Sequence, residues 1–140
     1  MLKYEQEVVT TLKSQLIDSL DLLKDLKIKS CESLASDPHL ISSAKYNLIV
    51  AIEAAIDICN HLISKNGFRV PDSYSDSFKV LAEKGILNYD FANTKLSAMA
   101  KFRNRLVHHY WAIDLDLLYE ILQNSLTDLE HFLDQIQQQL

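Results

Sequence analysis

Apolar residues recur at spacings of three and four over most of the chain, the interval that brings side chains to one face of an α-helix. Over residues 4–34, Val8, Leu12, Leu16, Leu20 and Leu23 form such a stripe, with Glu5, Glu7, Lys13, Asp18, Lys24 and Lys27 mostly off it. Leu22 and Leu26 also suit a second face turned to a partner. Ser36-Asp37-Pro38 predicts a new helix start, because an aspartate can accept from free backbone amides and proline fits the first turn. That helix is expected to run to about Lys65 and to stop at Asn66-Gly67. Leu40, Ala44, Leu48, Ile52, Ala55, Ile58 and Leu62 give it a wide apolar surface, and its alanines allow close approach, so it is the expected central helix. A loop with Pro71-Asp72-Ser73 leads to a short helix carrying Phe78, Val80 and Leu81 inward and ended by Gly85. Asn88 or Asp90 then caps a helix with Phe91, Leu96, Met99, Phe102, Leu106 and Val107 as its apolar positions. After a turn at Ala112-Ile113-Asp114, with Asp114 or Asp116 as cap, the last helix carries Leu117, Leu118, Ile121, Leu122, Leu126, Leu129, Phe132, Leu133 and Ile136. The pattern predicts an all-α fold: a compact up-and-down bundle of about five helices forming one domain over residues 1–140.

Composition supports this reading. A hydrophobic content of 48% with two glycines and two prolines does not suit an all-β chain, which needs turn residues at short intervals. A net charge of −5 excludes coating of nucleic acid by bulk charge, while leaving room for a small basic site. Cys31 and Cys59 are far apart and read as small residues of a reduced interior. Lys3, Glu5 and Glu7 precede any apolar run, so no signal peptide is expected. Residues 48–56, the most apolar stretch, contain Glu53 and are too short to span a bilayer. The expectation is a cytoplasmic protein without membrane contact.

The sign of charge reverses in one place. Arg103-Asn104-Arg105-Leu106-Val107-His108-His109-Tyr110-Trp111 holds two arginines and two histidines, and from Lys95 to Trp111 there is no carboxylate. Histidine titrates near neutral pH and can move a proton at a ribose 2′-hydroxyl or a leaving oxygen. Arginine keeps its charge, and its forked donors match a phosphate or the transition state of its transfer. These residue types suit metal-free phosphodiester cleavage, with Asn104 able to position either partner. One set is sparse for a reaction with two proton transfers, whereas two sets across a two-fold axis would supply both. Arg103 and His108 are five residues apart, about 140° around a helix, so their convergence needs a helix end near Val107 or a wrapped arginine. The structural alternative is that basic residues at a helix C-terminus merely complement the helix dipole and that Tyr110-Trp111 is core. Glu53, Asp57 and His61 form a line along the second helix, either a solvated stripe with an Asp57–His61 pair or the border of a shared polar site. The line spans about 12 Å, too far for one metal ion.

Arg103-Asn104-x-x-x-His108-x-Tyr110 resembles the R-x4-6-H signature of HEPN domains, in the R-N-x-L-V-H-x-Y form of HepT toxins. The resemblance continues through Glu53-Ala54-Ala55-Ile56-Asp57-Ile58-Cys59-Asn60-His61, Pro71-Asp72-Ser73-Tyr74, Leu81-Ala82-Glu83-Lys84-Gly85-Ile86, Met99 onward and Ile113-Asp114. It covers roughly residues 40–135. The resemblance implies an all-α homodimer with two motifs facing one cleft, cleaving RNA without a metal or other cofactor. By the same resemblance Arg103 stabilises phosphate, His108 transfers protons, Asn104 orients both, and Asp57 and Glu53 support the site. Tyr110 would accept AMP from an MntA-type nucleotidyltransferase antitoxin. Arg105, His109 and Lys101 are expected to make RNA contacts at most. The alternative carried beside this is a non-catalytic nucleotide- or substrate-binding subunit of a nucleotidyltransferase complex.

Overall fold

The computed structural model describes residues 1–140, and every regular element in it is helical. α1 (Gln6–Lys27) lies along α3 (Pro38–Asn66) in the most extensive helix pair, with the short α2 (Cys31–Ala35) between them in sequence. α4 (Tyr74–Glu83) and α6 (Ser97–His108) pack on one side of α3, joined through α5 (Tyr89–Phe91) and a π-helical turn, Ala92–Leu96. A single 3-10 turn, Tyr110–Ala112, leads to α7 (Leu115–Asn124) and α8 (Leu126–Gln139), which return across α1 and α3. One contiguous core of 36 buried residues runs from Leu16 to Ile136, so the motif-bearing α6 is seated on the same core as the rest.

The expected caps are in place. The Asp37 carboxylate accepts from the His39 N–H at 2.9 Å, and Ser73 Oγ accepts from the Asp76 N–H at 3.1 Å. Of the paired candidates, Asn88 caps α5 and Asp114 caps α7. α3 stops at Gly67, whose φ of 64° is the left-handed conformation that glycine adopts without a Cβ clash.

Five expectations about the helices need correction. The helix expected over residues 4–34 ends at Lys27; Ser30 accepts from the Ser33 N–H at 3.0 Å, and α2 restarts there with Leu34 fully buried. The last helix breaks at Ser125, which lets Leu118 and Leu122 before the bend and Leu126 and Leu129 after it all reach the core. The fourth helix contains the π turn, where Ser97 Oγ donates to the Ala92 carbonyl at 3.1 Å, five residues back. That extra residue of winding shifts the register so that Leu96, Met99, Phe102 and Leu106 are buried. Leu26 is core, leaving only Leu22 exposed on the proposed second face of α1, and Val107 is exposed. Residues 48–56 alone are too short to cross a membrane, while α3 as a whole is long and apolar enough by length and composition. Here most of its apolar side chains from Ala44 to Ile63 are buried against the neighbouring helices, with Ile49 and Val50 half-buried.

Candidate active site

The motif occupies the last two turns of α6 and the 3-10 turn after it. His109, at φ −133° and ψ 41°, leaves the helical region, and its N–H still reaches the Arg105 carbonyl at 2.8 Å. Arg105 and His108 in the last turn complement the negative end of the helix dipole. Because the helix runs through His108, Asn104 and His108 share a face, one turn apart. They open on a cleft of about 550 Å³ whose other walls are Asn60 of α3, the loop Pro71, Asp72 and Ser73, and Tyr74 and Ser77 of α4. That volume lies in the range that holds a small ligand or a nucleotide-sized fragment. All but one of its lining residues are polar in type, and Ser77 Oγ donates to Asn60 Oδ1 at 2.7 Å.

Arg103 does not line the cleft. Its Nε and Nη2 donate to one oxygen of Glu53, Oε1, at 3.0 and 2.7 Å, and Nη1 donates to Asn104 Oδ1 at 3.2 Å. The guanidinium carbon sits 4.6 Å from the centre of the Tyr74 ring, a cation–π stack. Tyr74 is the shared wall: one face of the side chain carries Arg103, and the residue also borders the space in front of His108. The arginine side chain is 14% exposed and the Glu53 side chain 41%, so the pair sits at the rim of the bundle. Fork, carboxylate and aromatic face hold the guanidinium in one orientation.

The acidic line of α3 divides. Glu53 holds Arg103. Asp57, one turn further on, has its carboxyl pushed above the ordinary range by burial and by the Glu53 charge, with Arg103 opposing both. His61 belongs elsewhere: its Nε2 accepts from the Glu5 N–H at 2.9 Å, which pins the start of α1 to α3. Of the two alternatives for this line, the Asp57–His61 pair does not form; Glu53 pairs with Arg103 near Asp57, and His61 contacts the N-terminal segment. Lys101, Arg105 and His109 are exposed and do not line the cleft. Tyr110 is half-buried, with Trp111 edge-on to it at 5.1 Å and 92% exposed, so this pair is not core.

Sequence reasoning gave no site role to Asn60, Tyr74, Ser77 or Lys45. Pro71-Asp72-Ser73 stood out as a capping signal only, though the same loop forms a wall of the cleft. Lys45 carried no signal beyond its place beside the apolar stripe of α3. Nowhere do three histidine, cysteine, aspartate or glutamate side chains come together with the geometry to hold a metal ion.

A clamp behind the cleft fixes that loop. Arg69 donates to both oxygens of Asp76 at 2.8 Å and to both of Glu83 at 2.9 and 2.8 Å, while the Asp72 N–H donates to Asp76 Oδ2 at 2.8 Å. The hydrogen bonds from Arg69, against a smaller opposing effect of burial and with help from Asp72, hold the Asp76 carboxyl at about 2 instead of its ordinary 3.8. A depressed folded-state pKa contributes stability that is present above the unfolded value and lost as pH falls toward the folded one. Stability is therefore expected to drop between about pH 4 and pH 2, and Asp76→Asn should flatten that drop. Urea unfolding midpoints measured across this window check it; an equally steep acid limb in the variant would exclude the clamp as its source.

The family described as ribonuclease HepT-like matches residues 16–136. The chain is 35% identical over 100 residues to the mRNA nuclease HepT of Shewanella oneidensis, covering 71% of this chain and 74% of that protein. Among solved structures, it is similar to the tri-AMPylated Shewanella oneidensis HEPN toxin in complex with its MNT antitoxin, with a TM-score of 0.84 and 27% identity over 94% of this chain and 97% of that one. The cytosolic protein YutE of Bacillus subtilis, of unknown function, shares the fold with a TM-score of 0.85 and 20% identity over 100% of this chain and 93% of that one.

Proposed function

The chain belongs to the HepT-like ribonuclease family, and from that premise we propose how its residues cut RNA and how they are silenced. It is the toxin of a toxin–antitoxin pair, an endoribonuclease neutralised when an MntA-type nucleotidyltransferase antitoxin adds AMP. In this chain His108 moves the proton at the attacking ribose hydroxyl or the leaving oxygen, and Arg103 stabilises the charge that gathers on the phosphate. Asn104 orients both: it shares a helix face with His108 and accepts from Arg103. Glu53 holds the guanidinium, and Asp57 supports the same corner. Tyr110 is the acceptor of AMP, which places a phosphate and a nucleoside beside the residues that would otherwise meet RNA.

The observation that carries this reading is the cleft in front of Asn104 and His108, with Arg103 fixed along its Tyr74 wall. One chain supplies a single histidine to this cleft. A homodimer that turns two such clefts toward each other would supply two proton-transfer groups. Exposed Val107, Trp111 and Tyr74 near the motif give that contact apolar area. In this reading Lys101, Arg105 and His109, all exposed, contact the RNA backbone. The site of action is the cytoplasm, where the RNA and the antitoxin are.

The test is incubation of total RNA and tRNA with purified protein in EDTA, its mass first checked for AMP on Tyr110. Cleavage without metal is expected. No cleavage by the unmodified dimer on any RNA tried would leave a non-catalytic subunit of a nucleotidyltransferase complex as the better reading.

A further inference from the structure

Lys45 is a buried cation without an anion. Its residue is 6% exposed, and it takes no part in the ion pairs of the chain. An ammonium withdrawn from water is costly unless something charged or strongly polar receives it. Both partners it has belong to one residue. Nζ donates to the Tyr110 backbone carbonyl at 2.8 Å and stands 4.5 Å from the centre of the Tyr110 ring. A lysine has three N–H donors, and the carbonyl accepts one. The ring face attracts the charge only weakly. The site is satisfied enough to fold, and no carboxylate of the chain neutralises its charge.

We propose that Lys45 is a positioning residue for modification of Tyr110 and the counter-charge of the phosphate once it is attached. The proposal rests on the reading of Tyr110 as the AMP acceptor. In the transfer, the phenolic oxygen bonds to the α-phosphorus of ATP as the bond from that phosphorus to the oxygen bridging to the β-phosphate breaks. The bridging oxygen keeps the electron pair and leaves in pyrophosphate, and the phenol proton passes to a base of the transferring enzyme or to water. The product is a phosphodiester on Tyr110 carrying one negative charge. Lys45 stands over the face of the ring to whose edge that charge is attached. The carbonyl bond holds the 3-10 turn, and so the phenol, in a fixed place for the incoming nucleotide.

The same geometry argues against a role in gripping RNA. Lys101 and Arg105 are exposed and free to meet a phosphate backbone, whereas Lys45 is covered and its ammonium is committed to Tyr110. A phosphate carried on Tyr110 is an anion that comes to Lys45 instead of one it must reach for.

The test uses Lys45→Gln, which keeps an N–H donor for the carbonyl and removes the charge, and Lys45→Arg, which keeps both. Each variant and the wild type, verified as unmodified, are incubated with the cognate nucleotidyltransferase and ATP, and AMP uptake is followed by intact mass. Co-elution with the transferase and cleavage of RNA are measured in parallel. Lys45→Gln is expected to take up AMP about tenfold more slowly, the worth of one charge-assisted hydrogen bond, with KM for ATP unchanged. Lys45→Arg should recover much of the rate. RNA cleavage by unmodified Lys45→Gln should stay within about twofold of wild type, because the cleft residues are untouched. Wild-type uptake by Lys45→Gln would overturn the proposal. So would joint loss of cleavage and uptake, or loss of co-elution, either of which would reduce Lys45 to a prop for the fold or the docking surface. A wild type that takes up no AMP on Tyr110 would instead sink the underlying reading, and it would show before any variant is compared.

Discussion

Replacing His108 with alanine is expected to slow RNA cleavage by about 10²–10⁴-fold, the usual contribution of a positioned general acid or base. The loss should fall on chemistry and not on folding. His108 is exposed at the last position of α6, and the helix is already closed behind it by the His109 N–H bond to the Arg105 carbonyl. Thermal unfolding should therefore stay within about 1 kcal/mol of the wild type, the most that loss of a basic group at an exposed helix end usually costs. The toxicity expected when the gene is expressed without its antitoxin should disappear with the cleavage. Cleavage by His108→Ala at a rate near that of wild type would remove this histidine from the mechanism.

The second large effect belongs to Arg103, and here fold and chemistry are coupled. Losing a group that stabilises transition-state charge typically costs about 10²–10³-fold in rate, so Arg103→Ala should be nearly inactive. The alanine also leaves Glu53 without its partner, but that carboxylate is 41% exposed and water can solvate it. The cost in stability should be about 1 kcal/mol, in keeping with a rim ion pair. Arg103→Lys separates geometry from charge. A lysine retains the charge but cannot stack a planar fork on Tyr74 while donating to Glu53 and Asn104 at once. It should fold as wild type and still lose most of the activity. Cleavage at full rate by Arg103→Lys would show that a point charge suffices, and that the oriented fork has no catalytic part. Single-turnover kinetics on a defined RNA, with Tm measured alongside, decide both variants.

These expectations differ in what they ask of the site. His108 needs freedom, because a proton-transfer group must approach substrate. Arg103 needs confinement, because an oriented donor pair has more effect when it is not reorganised during the reaction. The structure provides each: an exposed imidazole at a helix end and a guanidinium held by a carboxylate, an amide and an aromatic ring.

Much of this was legible before any fold was known, because it depends on local spacing. Helical periodicity placed Leu48, Ile52, Ile58 and Leu62 on one buried face, and they are fully buried. Asp37, Ser73, Gly67 and Gly85 marked boundaries by side-chain and backbone chemistry that acts within a few residues. The shared face of Asn104 and His108 follows from their spacing of four, and the absence of carboxylates from Lys95 to Trp111 marks the basic site directly. Tertiary structure decided whatever depends on distant segments. The breaks at Ser30 and Ser125 and the π turn at Ala92–Leu96 carry no glycine or proline; they arise because burial of Leu34, Leu126 and Leu96 outweighs the continuity of a helix. Which acid of α3 meets Arg103, and where His61 goes, is set by how α6 and the N-terminal segment lie across α3. Lys45 reads in sequence as one charged residue beside an apolar stripe. Only the fold brings it beneath Tyr110, 65 residues away, because contact across the bundle is determined by packing and not by spacing along the chain.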